Sequence, residues 1–317
     1  MYKEENKKFD CIWQGKATTP VVSVIIPNFN HARFLRERID SVLAQDYSDF
    51  EVILLDDCSS DNSRTIIDSY KKHPKVSQII LNASNSGNTF IQWERGIQRA
   101  RGNYIWIAES DDVADKNFLS TLTPLLETDE QRVVAFSHSR MIDDQSHTMH
   151  QTWHKEGSSG NIIIHDGKTF NKQQMLTHCV IYNASMTVFR KSVFHHIPKD
   201  YQQYRYCGDW LFWTYVCQHG QVVEVCRQLN AMRRHENEVS VHAQKNGGKW
   251  FDTGGILSRF MDIMQLTPWQ KKCLRGRWTK RFKKEQFPNK ENIKKLYPKL
   301  FDGNFIDIIC YEISKWL

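Results

Sequence analysis

The 317-residue chain has no C-x-x-C pair although it carries eight cysteines, so their spacing gives neither a zinc ribbon nor a thioredoxin-like redox motif. No run approaches the roughly 20 apolar residues that cross a bilayer, and Met1 to Asp10 is charged where a signal peptide would be apolar. No Gly-rich turn follows the first apolar run. Pro27-Asn28-Phe29-Asn30-His31 stands where a dinucleotide fold would place G-x-G-x-x-G and a nucleotidyltransferase its glycine-bearing phosphate loop. Internal repeats and low-complexity stretches are also missing. The formal net charge of +7 is modest for this length and gathers toward the C-terminal end, which speaks against nucleic acid as a partner. A reduced, cytoplasmic, folded chain is the expectation.

Apolar residues make up 40% of the chain and charged residues 25%, as in soluble globular proteins. From Val21 onward strand and helix patterns alternate. Val21 to Ile26 is a β-branched run that suits a strand buried on both faces, and Ala32 to Ala44 places Phe34, Leu35, Ile39, Val42 and Leu43 at helical spacing with Asn30 as a candidate cap. Strands over Glu51 to Leu55, Val76 to Leu81 and Tyr104 to Ala108 alternate with helices over Asn62 to Tyr70 and Thr89 to Arg101. This βαβαβ progression predicts a mainly parallel sheet, with ligands at the carboxyl ends of its strands. Residues from about Arg140 to Asn171 read as a loop region. Ala184 to Phe189 reads as a strand, Trp210 to Cys217 as an aromatic helix, and Gln221 to Val225 and Leu229 to Arg233 as closing strands. From about Lys249 the pattern turns to basic helical pieces, and Lys271 to Lys284 holds eight Lys or Arg and no acid. The expected organisation is a tail over 1–19, a catalytic domain over 20–240 and a basic helical extension over 241–317.

Four clusters carry chemistry. Asp56 and Asp57, ahead of Cys58-Ser59-Ser60-Asp61, offer acceptors for a nucleoside base and ribose, or equally an Asx turn that caps the next helix. Glu109-Ser110-Asp111-Asp112 crowds three carboxylates into four residues, an arrangement relieved by a hard divalent cation or, more simply, by solvent at a helix N-terminus. Asp209, after Gly208 and before Trp210-Leu211-Phe212-Trp213, is either an N-cap or a general base. Arg233-Arg234-His235 can face phosphates or supply a metal ligand, and a solvated surface triplet is the alternative.

In order along the chain, these pieces resemble glycosyltransferase family 2, inverting enzymes with the GT-A fold. The resemblance rests on Val22-Ser23-Val24-Ile25-Ile26-Pro27-Asn28-Phe29-Asn30, Asp56-Asp57-Cys58-Ser59-Ser60-Asp61, Asn85-Ser86-Gly87, Glu109-Ser110-Asp111-Asp112, Gly208-Asp209 and Arg233-Arg234-His235. It implies a Rossmann-like α/β domain, a mainly parallel sheet flanked by helices, with a C-terminal helical extension. It further implies a donor nucleotide site built from Pro27, Asn28, Asn30, Asp56, Asp57, Asn85, Gly87, Glu109 and Ser110. Asp111 and His235 would hold Mn2+ or Mg2+, Asp112, Arg233 and Arg234 would contact the metal or the diphosphate, and Asp209 would be the base. The implied reaction moves a sugar from a nucleotide diphosphate, UDP foremost, to a hydroxyl of a glycan or lipid-linked acceptor, in polysaccharide biosynthesis for the cell envelope. A non-catalytic nucleotide-sugar-binding protein of the same fold and a nucleotidyltransferase are the alternatives. Three positions depart from the family pattern: Glu109 replaces an Asp, Gly208 replaces a Glu, and Gln92-Trp93-Glu94-Arg95 replaces A-R-N. Trp278, Phe282 and Phe287, interleaved with Lys and Arg, suggest a peripheral seat on the inner face of the membrane or, equally, an ordinary solvated basic helix face packed on the catalytic domain.

Overall fold

The computed structural model describes residues 9–14, 20–149, 160–235, 243 and 246–314, with the backbone course alone for 9–14. The chain divides into two compact units, one of residues 1–166, 181–197 and 219–234, the other of 167–180, 198–218 and 235–317.

The first unit is built on a ten-stranded sheet in the order β1-β4-β3-β2-β5-β9-β7-β10-β6, with β8 paired to β10. Its strands are β1 (Phe9–Gln14), β2 (Val22–Asn28), β3 (Phe50–Asp56), β4 (Val76–Asn82), β5 (Tyr104–Ile107), β6 (Val113–Ala114), β7 (Arg132–Ile142), β8 (Ile162–Asp166), β9 (Thr187–Arg190) and β10 (Gln221–Arg233). Its helices are α1 (Ala32–Leu43), α2 (Ser63–Ser69), α3 (Thr89–Arg99) and α4 (Phe118–Glu127). The expected α/β architecture is present, in a mixed sheet: β2, β3, β4 and β5 run parallel, as do β7 and β10, while β9 lies antiparallel between β5 and β7, and β1, β6 and β8 add antiparallel to their partners. Every residue of β2 and β3 is buried, the mark of central parallel strands covered on both faces. Val24, Leu54 and Trp106 pack with Leu35 and Ile39 of α1 and Phe118 and Leu122 of α4 in one core.

Several local expectations change. The segment read as a tail contains β1, which adds antiparallel to β4. Asn30 does not cap α1; it adopts a left-handed φ of 56°, and the carboxylate of Asp61 accepts from the Ala32 N–H instead. The segment read as a loop from Arg140 begins inside β7 and contains β8, where Ile162-Ile163-Ile164, all β-branched, pair with Glu224 and its neighbours. Ala184–Met186 is a 3-10 turn, and only from Thr187 does the chain extend. The two closing strands are one, β10, interrupted by register shifts between Val225 and Asn230. Residues 150–159 of the predicted loop, 1–8 and 15–19 of the predicted tail, and the predicted domain boundary at 240 lie outside the described residues.

The second unit is helical. It contains α5 (Gly167–Phe170), α6 (Gly208–Gln218), α7 (Gly248–Ile263), α8 (Pro268–Lys284), α9 (Lys290–Leu296), α10 (Pro298–Phe301) and α11 (Phe305–Ser314). α6 is apolar on all sides and correspondingly buried. α8 opens with a capping box between Thr267 and Gln270 and Pro268 in its first turn, and closes with Arg281, Lys283 and Lys284 at the negative end of its dipole. Gly276 lets α8 meet α11 backbone to backbone, because a Cβ there would lie 1.9 Å from the Asp307 carbonyl oxygen. Trp278 and Phe282, expected to face a membrane, are 4% and 1% exposed. They pack instead with Trp250 and Phe301 in an aromatic core.

Candidate active site

At the carboxyl end of β2, pairing to β5 stops at Ile25, two residues short of Pro27, so the proline sits where β2 has a partner on β3 but none on β5. The next residue, Asn28, donates to the Asp56 carboxylate at 3.0 Å and to Ser59 at 3.2 Å. Asp56 is fully buried and also accepts from the Ser59 N–H and from Arg64 at 2.9 Å. It is thereby occupied in joining two strand ends. Asn30 is exposed, and its side-chain oxygen accepts from the Ser60 N–H at 2.8 Å, which locks the β2 turn to the β3 turn.

Asp57 is 4% exposed and takes donors from three sides. Asn82 reaches it at 2.5 Å, Gln92 at 2.8 Å, and Ser86 through both its hydroxyl at 2.7 Å and its N–H at 2.9 Å. The Asp57 carbonyl accepts from Asn85 at 2.9 Å. The Asn85-Ser86-Gly87 turn is thus wrapped around Asp57. Gly87 has a φ of 74°, and Asn88 then caps α3 by accepting from the Phe90 N–H.

The acid loop after β5 is held as closely. Trp93 donates its indole N–H to Glu109 at 2.8 Å, so successive residues of α3, Gln92 and Trp93, fix carboxylates from two different strands. Those residues stand where the family's A-R-N differs. Ser110 is buried and pairs with the His31 ring at 2.8 Å. Asp112 accepts from Asn183 at 2.5 Å and from the Arg233 N–H at 2.9 Å. Arg233 is itself 2% exposed and clamps the loop from outside, donating to the Asp111 carbonyl at 2.7 Å, to the Asp143 carbonyl at 2.8 Å and to Glu37 at 2.6 Å. Arg234 follows half-buried, its N–H on the Ile142 carbonyl.

Burial pushes Glu109 up to about 8 and Asp112 up to about 7, with the charge of Asp111 adding to both. Arg38 is the counterweight that sequence reasoning missed. It occupies an inward position of α1 beside Leu35 and Ile39, entirely buried, 5.2 Å from the Trp106 ring, with its Nε on the Glu109 carbonyl. Burial lowers its own pKa to about 10 against the pull of Asp112, Asp111 and Glu109. Nothing in a helical spacing distinguishes such an inward arginine from a solvated one. A metal fits the donor set here: a nitrogen of His31 and an oxygen of Asp111 lie within 4.8 Å of each other in the first unit. His31 was not singled out in the sequence, where it reads as one more polar turn residue.

In the second unit, Asp209 lies within the first turn of α6 rather than at its cap. Burial raises its pKa from 3.8 to about 7; the N–H groups of Trp210 and of Asp209 itself oppose the rise, and the charge of Asp252 adds to it. Asp252, from α7, is 4% exposed and accepts from the N–H groups of Tyr206 at 2.7 Å and Cys207 at 3.1 Å, fixing the entry to α6. The acid absent at Gly208 therefore has a spatial counterpart on another helix. His235 opens the last segment of this unit and is half-buried.

The fold is that of known glycosyltransferases. S. aureus TarS residues 1–349 in complex with UDP-GlcNAc superpose with a TM-score of 0.62 at 16% identity, over 92% of this chain and 78% of that one. The Pyrobaculum calidifontis mannosyltransferase PcManGT, in complex with GDP-Man and Mn2+, gives 0.54 at 13% identity over 84% and 74%. In sequence, the putative teichuronic acid biosynthesis glycosyltransferase TuaG of Bacillus subtilis is 34% identical over 39% of this chain and 49% of its own length. Glycosyltransferase GlyG of Streptococcus pneumoniae is 33% identical over 36% of this chain and 38% of its own, so these matches span less than half of either relative. The model of the glycosyl transferase family 2 matches residues 23–197, more than half of the chain. On that match, and with strand-end carboxylates braced as described, the chain belongs to glycosyltransferase family 2.

Proposed function

We propose that the chain is an inverting glycosyltransferase that moves a sugar from a nucleotide diphosphate, with UDP as the carrier, to a hydroxyl of a glycan or lipid-linked acceptor of the cell envelope. The observation that supports this most is the turn of Asn85-Ser86-Gly87 closed around a buried Asp57, beside an acid loop braced by Trp93, Arg38 and Arg233. The exposed Asn30 after β2 and the exposed Asn85 and Gly87 after β4 offer amide and backbone donors and acceptors to a base and ribose. Pro27, Asn28, Asp56, Asp57 and Ser110 shape those turns from behind. Asp111, with His31 or His235, would hold Mn2+ or Mg2+, which when bound offsets the charge growing on the departing diphosphate. Arg234, half-buried, is assigned to face the phosphate, while its chain neighbour Arg233 holds the acid loop.

Asp209 is assigned as the base. Its proton affinity near neutrality lets it take the acceptor hydroxyl's proton as the new bond forms, on the face opposite the leaving diphosphate, so that the anomeric configuration inverts. Among the described residues no helix is long and apolar enough to cross a membrane. Contact with an anionic bilayer, if the acceptor is lipid-linked, is assigned to the exposed Phe305, Ile306, Ile309 and Ile313 of α11 rather than to Trp278 and Phe282.

A panel of nucleotide sugars, each with and without Mn2+, tests the reading by thermal stabilisation followed by transfer to an acceptor extract. One donor is expected to stabilise the protein in a Mn2+-dependent way and to be consumed with inversion. In Asp111→Ala the metal-dependent part of the stabilisation is expected to vanish. Stabilisation by no nucleotide sugar, or full metal dependence in Asp111→Ala, refutes it.

A further inference from the structure

Glu224 and Cys226 lie two residues apart on β10, just where its pairing with β7 slips register. His138 projects from β7 on one side and His165 from β8 on the other. The Nε2 atoms of the two histidines stand 2.9 Å from opposite oxygens of the Glu224 carboxylate. Those two contacts hold Glu224 down to about 2. Ligand-competent atoms of His138, Glu224 and Cys226 all lie within 4.8 Å of one another. The group is enclosed: the Cys226 residue is 8% exposed, and the side chains of His138 and Glu224 are 12% and 22% exposed. It lies seven to nine residues before Arg233 on β10, which the register shifts shorten to about 15–20 Å along β7 at strand spacing, so the donor site does not account for it.

We propose that His138, Glu224 and Cys226 bind one divalent transition-metal ion of the zinc type, with His165 positioning the carboxylate from behind. Zinc bonds of about 2.0–2.3 Å to nitrogen, oxygen and sulfur set ligand edges of about 3.3–3.6 Å in a tetrahedron. The existing separations, 2.9 Å between His138 and Glu224 and no more than 4.8 Å among the three ligand atoms, are close to that range, so the ion enters by rotamer adjustments and not by moving strands. Imidazole and thiolate are ligands that favour zinc over Mg2+, and the carboxylate and thiolate charges balance the ion. Binding releases the Cys226 thiol proton to solvent, shifts the His138 ring proton from Nε2, where it faces Glu224, to Nδ1, and forms the metal–sulfur and metal–nitrogen bonds. A water completes the fourth position. Such an ion ties β7 to β10, and through His165 it ties in β8, which pairs with β10. The residues come from three strands up to 88 positions apart, so no local ligand spacing announces the site.

Cobalt is the probe. The full-length protein, stripped with a chelator and titrated with Co2+, is expected to develop a thiolate-to-cobalt charge-transfer band in the near ultraviolet, and four-coordinate d–d bands in the visible, saturating at one ion per chain. Added Zn2+ is expected to abolish both and to raise the unfolding midpoint. Cys226→Ser should lose the charge-transfer band, and Glu224→Gln should weaken binding at least tenfold, while Asp111→Ala should retain the band. Absence of the band in the unaltered protein, or its survival in Cys226→Ser, overturns the proposal and leaves the cluster a hydrogen-bonded brace. Should Cys226→Ser fail to fold, the Glu224→Gln isotherm decides: an unchanged one equally overturns it.

Discussion

Asp57 in the sheet unit and Asp209 in the helical unit are both carboxylates withdrawn from full exposure to solvent, and the two units treat them in opposite ways. Asp57 accepts from Asn82, from Ser86 twice over and from Gln92, so its charge is dispersed over neutral donors that are themselves fixed. Among the described residues no side-chain donor reaches Asp209, and burial together with Asp252 moves it to about 7. An acid surrounded by donors is a fastening, since losing its charge would orphan every partner. An acid left with unused acceptor capacity and a proton affinity near neutrality can exchange a proton within a catalytic cycle. On the proposed function the difference separates a binding acid from a catalytic one, and that can be broken by experiment.

The largest expected effect is on turnover. Asp209→Asn keeps the shape of the side chain and removes its basicity, so transfer should fall by about 10²- to 10⁴-fold while the nucleotide still binds. Near-normal turnover would remove Asp209 from the role. The same group sets the pH profile. Below about 7 the carboxylate is protonated, so the rate of the chemical step should rise about tenfold per pH unit up to that point and then level off. A profile flat from pH 5 to 8 in single-turnover measurements would contradict the assignment.

Stability should separate the two acids with opposite signs. Asp57→Asn turns an amide N–H toward donors already in place, and leaving one of them unsatisfied costs about 1–3 kcal/mol, seen as a lower unfolding midpoint at every pH. For Asp209 the folded state binds a proton that the unfolded chain has released between pH 3.8 and about 7, so stability drains away as pH rises through that window. Asp209→Asn lacks this slope. It should therefore unfold at a higher temperature than the unaltered protein at pH 8 and show little difference near pH 4, the expected cost of an active-site charge. A fall in stability at pH 8 would show that α6 needs the carboxylate for structure.

Much of the sheet was legible because the buried parallel strands are continuous β-branched runs that stop at polar turns: Val22 to Asn28, Phe50 to Asp56 and Tyr104 to Ile107. Among the strands that escaped notice, β7 and β8 differ in kind. β7 mixes Ser, His and Arg with its apolar residues, and its pattern has meaning only once β9 and β10 lie beside it. In the candidate site, the acids could be read from their clustering after strand ends. Their holders could not, because Gln92, Trp93, Arg38, Asn183 and Asp252 come from helices and turns whose spacing says only which way they face. Trp278 and Phe282 show the converse error: aromatic residues amid lysines look like a membrane face until α8 is seen to turn them into its own unit's core.

The smallest predicted effect tests the turn around Asp57. An added methyl at Gly87 meets nothing within 4 Å, so any cost of Gly87→Ala arises from backbone conformation alone. At a φ of 74° that cost is about 1–2 kcal/mol for an L-residue with a Cβ, and less for Asn, which tolerates the left-handed region. Gly87→Ala should thus lower the unfolding midpoint slightly and weaken nucleotide binding by a similar free energy, with Gly87→Asn falling between it and the unaltered protein. Equal behaviour of all three would mean that the turn relaxes to another conformation without loss, and then the bonds of Ser86 to Asp57 would not be what holds it.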